Sequence, residues 1–249
     1  MKKRILGAMW VAAVGGAAMA AWSCGGGRES EPTDSPSDAD AAEAQTATPE
    51  RAREAPPVSR IGASLVRTPQ NDALVLADED HDAIRRMRLP LDVNDTAGVT
   101  DLPGHPSQVI AMGDRILVTL RDPGALVVMK LDHDRYVETA RVALPADAWG
   151  LAVSEDLRTA VVTSAWTHHV TAVDLDSLEV RWSVDVGREP RGVAVTPDGV
   201  VYVDHLVGRF LTRIDGVDEE SPKAERVDLA PAPIRARHGQ TLDASLGYS

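Results

Sequence analysis

Few residues of this 249-residue chain stand where they could do chemistry. Asp78, Asp80 and Asp82 alternate around His81, and closely spaced carboxylates are what a hard cation such as calcium wants. Counted from Asp78, however, the sixth position is Ala83 and the twelfth is Leu89, where a helix-flanked calcium loop needs Gly and Glu, so a solvated acidic turn is the expectation. His168-His169 offers two imidazoles, but adjacent strand residues point to opposite faces and do not easily share a metal. The third group recurs at a fixed interval. Ser107, Trp149 and Arg191 stand 42 residues apart, beside His105, Asp147 and Glu189 at the same interval. A Trp flanked by Arg and carboxylates has the chemistry of a recognition patch; the same Trp149 half buried as packing would be structural, and the residues alone leave both readings open. There is no Gly-x-Ser-x-Gly elbow, His-Glu-x-x-His helix, phosphate-binding glycine loop or Cys-x-x-Cys-His haem site. No catalytic residue, metal ligand or cofactor is therefore assigned, and the chain is not expected to be an enzyme.

The interval of 42 belongs to the elements that position these residues. Gln-Val-Ile-Ala from Gln108, Gly-Leu-Ala-Val from Gly150 and Gly-Val-Ala-Val from Gly192 start 42 residues apart. The last copy continues through the turn Thr196-Pro197-Asp198-Gly199, a strand Val200–Val203, a loop and a third run Arg209–Ile214. Thr68, Ser154 and Thr196 each stand just before a turn. β-branched and aromatic residues fill short runs that Pro, Gly, Asn or Asp separates, which argues for strands over helices. A period of about 40 to 45 residues of this kind is that of propeller blades, whose sheets bury both faces only when neighbours stack. The expectation is an all-β β-propeller of four-stranded antiparallel blades at about 62–104, 105–146, 147–188 and 189–232. Ala244-Ser245-Leu246 repeats Ala63-Ser64-Leu65, so a further blade is expected to start at 243–249. That register predicts an incomplete ring, the N-terminal part of a longer protein. A small closed propeller that borrows the last strand for an early blade is the other reading. In a propeller the starts of the first strands line the channel mouth, which places His105, Ser107, Asp147, Trp149, Glu189 and Arg191 there.

Gly192-Val193-Ala194-Val195-Thr196-Pro197-Asp198-Gly199-Val200-Val201-Tyr202-Val203 resembles the GVAVSPDG-x-x-x-YV core of the YVTN-type propeller repeats and is similar to the NHL repeat. The resemblance covers about Gly62 to Gly216. It implies a seven-bladed secreted or surface-bound propeller acting as a binding scaffold. Some bacterial relatives join the propeller to cytochrome c or di-haem peroxidase-like domains, an activity not carried over to a chain without a haem motif. A second resemblance is that of Ala172-x-Asp174-x-x-Ser177 and Trp182 to the blade-docking motif of pyrroloquinoline-quinone propellers, with Leu178 and Glu179 in place of its Gly and Lys. It implies the alternative function, the propeller portion of a redox enzyme whose catalytic part lies elsewhere. In that family the Trp locks blades together.

The N-terminus carries an address. Lys2-Lys3-Arg4 precedes an uncharged stretch from Ile5 to Trp22, as in a secretory signal, and the segment 1–24 ends at Cys24, the sole cysteine. Ala21-Trp22-Ser23-Cys24 resembles the lipobox of bacterial lipoproteins, which implies lipidation of Cys24 and a membrane partner through that lipid, in the periplasm or at the cell surface. Cleavage after Ala18-Met19-Ala20, leaving Cys24 a spare thiol, and an uncleaved anchor are the other readings. With one cysteine, no intramolecular disulfide can form. Residues 25–60 are expected to be a disordered acidic tether, since Gly25 to Pro57 contain no Val, Ile, Leu, Met, Phe, Trp or Tyr. The net charge is −12, and the basic signal leaves most of it on the repeats, which disfavours nucleic acid as a partner. An unidentified protein or small-molecule ligand remains.

Overall fold

The computed structural model describes residues 58–92, 94, 97–231, 234–235 and 241–242. The signal, Cys24, the tether up to residue 57 and the segment 243–249 lie outside the described residues. The fold is all-β, as the period implies. Sixteen strands form four antiparallel sheets of four, each in sequential order. Blade one is β1 (Leu65–Arg67), β2 (Ala73–Asp78), β3 (Ala83–Arg88) and β4 (Val99–Asp101). Blade two is β5 (Pro106–Met112), β6 (Arg115–Leu120), β7 (Ala125–Asp132) and β8 (Arg135–Ala143). Blade three is β9 (Ala148–Val153), β10 (Thr159–Ser164), β11 (His169–Asp174) and β12 (Val180–Asp185). Blade four is β13 (Pro190–Val195), β14 (Val201–His205), β15 (Phe210–Asp215) and β16 (Lys223–Asp228), and a two-stranded pair follows, β17 (Ile234–Arg235) with β18 (Thr241–Leu242).

The turn chemistry that the repeat displays is used in the same way in three blades. The hydroxyls of Thr68, Ser154 and Thr196 accept the amide N–H of Ala73, Thr159 and Val200, at 3.1, 3.0 and 3.1 Å. Three residues after each hydroxyl the backbone turns left-handed, at Asn71 (φ 62°), Leu157 (φ 61°) and Gly199 (φ 81°). Leu157 is there because its side chain packs against the core between blades two and three.

Period-2 alternation gives each sheet two apolar faces, and the faces pair in chain order. Val66, Val75, Ala77 and Ile84 of blade one meet Val109, Ile116, Val118 and Met129 of blade two. Ile110, Leu117, Leu126 and Val128 of blade two meet Leu151, Val153, Ala160 and Val162 of blade three. Ala152, Val161, Val170 and Ala172 of blade three meet Val193, Val201, Val203 and Ile214 of blade four. Hydroxyls fasten the innermost strands. Thr119 Oγ1 donates to Trp149 O at 2.9 Å, and the equivalent Thr163 Oγ1 donates to Arg191 O at 2.7 Å while accepting the Gly150 N–H at 2.8 Å. Gly150 admits this approach because a Cβ there would lie 2.0 Å from Arg191 O. Gln108 reaches across too, its side-chain oxygen accepting Leu151 N–H at 2.9 Å.

The chain enters along the free inner edges of these strands. Gly62 N–H donates to Leu151 O at 2.7 Å, Val153 N–H donates to Arg60 O at 2.9 Å, and Ala63 pairs with Val109 in both directions. Val58 packs against the second core.

Candidate functional site at the channel mouth

One backbone device sets the mouth. The residue before each first strand offers its carbonyl to the loop after the second strand: His105 O accepts Arg121 N–H, Asp147 O accepts Ala165 N–H and Glu189 O accepts Leu206 N–H, at 2.9, 3.0 and 2.9 Å. Asp147 and Glu189 adopt left-handed backbone to do so, φ 61° and 52°, an uncommon state for residues with a Cβ. Asp147 N–H in turn donates to Arg121 O at 2.7 Å, which ties the loop of blade two to the entry of blade three.

On that frame the side chains of four blades converge. The ring of Trp149, half buried, lies 4.5 Å from the guanidinium carbon of Arg121 and 4.2 Å from that of Arg191, measured to the ring centroid. Arg121 Nε donates to Asp147 Oδ1 at 2.6 Å and Arg121 Nη1 to Glu79 of blade one. Arg191 Nη2 donates to Glu189 Oε2 at 3.0 Å, while its Nε and Nη1 are sealed from solvent without a partner. Asp147 is 1% exposed at its side chain, and its second oxygen, Oδ2, is also unpartnered. Burial works against the Arg121 charge, but Asp147 and Glu79 outweigh it and hold the group above its ordinary pKa. Arg121 is thus a permanent cation shared by two carboxylates and one ring.

The six residues placed at the mouth by spacing do not play equal parts. Asp147, Trp149, Glu189 and Arg191 join the cluster. His105 turns aside, its Nδ1 2.7 Å from Asp82 Oδ1. Ser107 is buried inside β5, 8% exposed. Glu79 and Arg121 were not visible in the repeat, because they come from loops whose length differs between blades. The only signal was position, Arg121 directly following the apolar strand Ile116 to Leu120. The remaining motifs are settled by neighbours. Asp78 is drawn to His81 (2.8 Å) and Arg85 (2.5 Å), across a single 3₁₀ turn, Glu79–His81. His168 precedes β11 with φ 60°, and His169 Nδ1 lies 2.5 Å from Thr167 O. Trp182 is buried and donates its indole N–H to Val217 O of blade four at 3.0 Å, so it is a blade-to-blade lock.

Chemically the cluster is spent on itself. Each guanidinium is committed to a carboxylate and to the indole, and no hydroxyl, thiol or imidazole belongs to it. What faces solvent is mainly acidic, since the side chains of Glu79 and Asp82 are 42% and 46% exposed against 24% and 22% for Arg121 and Arg191.

No protein-family model and no curated protein sequence matches the chain. Solved structures do match its fold. The periplasmic gluconolactonase of Pseudomonas aeruginosa is 20% identical with a TM-score of 0.59, over 70% of this chain and 58% of that one. The virginiamycin B lyase of Staphylococcus aureus is 10% identical with a TM-score of 0.54, over 69% and 56%. Hydrazine synthase of Kuenenia stuttgartiensis is 13% identical with a TM-score of 0.53, over 72% and 52%. The chain therefore spans little more than half the length of the structures it resembles. At these identities the likeness establishes the architecture: the chain has a β-propeller fold, shared with lactonases and lyases.

Proposed function

We propose that the protein is a non-catalytic propeller, exported and held in the bacterial cell envelope by a lipid on Cys24, whose channel mouth binds a cationic ligand or protein segment. The observation that carries the binding role is the commitment of Arg121 and Arg191 to Glu79, Asp147, Glu189 and Trp149, which makes a rigid, charge-compensated platform instead of a set of groups free to attack or transfer protons. The cationic preference is supported by the greater exposure of Glu79 and Asp82 and by the net charge of −12.

Spermine and citrate, compared at equal ionic strength, separate the signs of charge. Spermine is expected to raise the melting midpoint by about 2–4 °C, citrate to leave it unchanged, and Glu79→Gln to halve the spermine effect. Stabilisation by citrate, or hydrolysis of δ-gluconolactone above the uncatalysed rate, would overturn the reading. The anchor is tested separately: the wild type should incorporate labelled fatty acid and Cys24→Ser should not, and equal labelling of both removes the lipoprotein assignment.

A further inference from the structure

Each of the three internal blade contacts joins the forward face of one sheet to the rear face of the next, and one face of each kind is left over. The rear face of blade one carries two rows across its strands, Leu65, Leu76, Arg85 and Val99, then Arg67, Leu74 and Met87. The forward face of blade four carries Ala194, Tyr202, Arg213 and Glu225, then Asp204, Leu211 and Val227. By register these rows are the counterparts of those that pack inside the molecule: Leu65 and Leu76 stand where Val109 and Val118, Leu151 and Val162, and Val193 and Val203 are buried. Yet Leu65 is 50% exposed, Leu76, Tyr202 and Leu211 are half-buried, and none of them belongs to a core cluster among the described residues.

We infer that the occupant of both faces is a second copy of this chain, the forward face of blade four in one copy packing on the rear face of blade one in the other, so that two copies close an eight-bladed ring about a two-fold axis along the channel. Three points on the molecule support a second copy. The fold makes this same forward-to-rear contact three times, so the two free faces are already shaped for one another. The substitutions that distinguish them from the internal faces are opposite in excess: Arg67 and Arg85 stand where Val153 and Thr171 do in blade three, whereas Asp204 and Glu225, with one Arg213, stand where Thr163, Trp182 and Ala172 do. And the matched fold takes about twice the chain that is present here. A heterologous contact that closes after two steps leaves no unpaired face, which is the stable outcome for such surfaces.

Sedimentation velocity of the full chain carrying Cys24→Ser should show a species of twice the chain mass, and Leu65→Asp and Leu211→Asp should each convert it to a monomer with unchanged far-ultraviolet circular dichroism. Mixing the two variants is the decisive arm. One retains an intact forward face and the other an intact rear face, so the mixture should recover a heterodimer, weaker than the wild-type dimer because one of its two contacts is broken. A dimer that survives in either variant alone would mean a face-to-same-face contact and overturn the ring. So would a wild-type monomer, whether its faces are covered by residues 232–249 or by blades of a longer chain, and so would an open polymer. Loss of spermine binding with the dimer intact would touch only the mouth, and the reverse only the ring.

Discussion

At the scale of single residues, the mouth is a lesson in which ion pairs matter. Asp147 is buried and serves Arg121, itself only partly exposed, so removing its charge leaves a desolvated guanidinium with Glu79 alone. Asp147→Asn should lower stability by about 2 kcal/mol, less than a fully buried pair would cost because solvent reaches Arg121, as read from urea unfolding. The pair Arg226–Asp228 has the same length class, 2.8 Å, but both side chains lie more than half in water. Asp228→Asn should leave the urea midpoint where it is, and equal losses for the two variants would mean that burial does not set their worth. Four of the mouth residues could be placed from their spacing alone, since the entry to a first strand recurs with the period. Arg121 and Glu79 could not, because side chains that meet across blades need no fixed separation along the chain. The fate of Trp149 was open for the same reason: a half-buried ring and an exposed one are written with the same letter, and only the positions of two arginines decide between them.

At the scale of the strand and its turn, the fold is held by small polar contacts as much as by apolar faces. Thr163 satisfies two buried backbone groups at once, the Gly150 N–H and the Arg191 carbonyl, on either side of the junction between blades three and four. Thr163→Val keeps the shape and removes both hydrogen bonds, so it should cost about 2 kcal/mol, whereas Thr163→Ser should cost less than about 1 kcal/mol. A Val variant as stable as wild type would show that the junction is apolar in energy as well as in appearance. The turn hydroxyls of Thr68, Ser154 and Thr196 were readable because the same residue class recurs in the same slot. The cross-blade use of Thr119 and Thr163 was not, because a Thr inside a β-rich run is ordinary strand composition until its neighbour sheet is in place.

At the scale of the whole molecule, acid should be the weak side. Asp78, Asp156, Asp174 and Asp198 are all held below the ordinary carboxylate range. For Asp174 the chief cause is the Ser177 N–H, followed by the Arg181 guanidinium and the Asp176 N–H. For Asp156 it is the Ser154 hydroxyl, for Asp198 the Thr196 hydroxyl, and for Asp78 burial pushes upward but His81 and Arg85 outweigh it. A folded pKa below the unfolded one contributes stability that is complete above the unfolded value, about 4, and is lost as pH falls towards the folded value. The urea midpoint should therefore be flat above about pH 5 and fall below about pH 4, and Asp174→Asn should lower it at neutral pH while flattening the acid limb. A midpoint that rises on acidification would contradict this. The number of sheets was legible because a stacked repeat writes its period into the chain, whereas the route by which the chain enters was not, since Arg60 to Ala63 carry no strand pattern of their own. That route has a mechanical consequence. Tension applied at Val58 does not first reach blade one, although blade one follows in sequence; it passes through Arg60, Gly62 and Ala63 into β9 and β5. Because the segment lies alongside those strands, a pull along its own axis strains its hydrogen bonds together, in shear. Any force transmitted by a tether is then delivered to the axis of the propeller, between blades two and three, and the outer strands are spared.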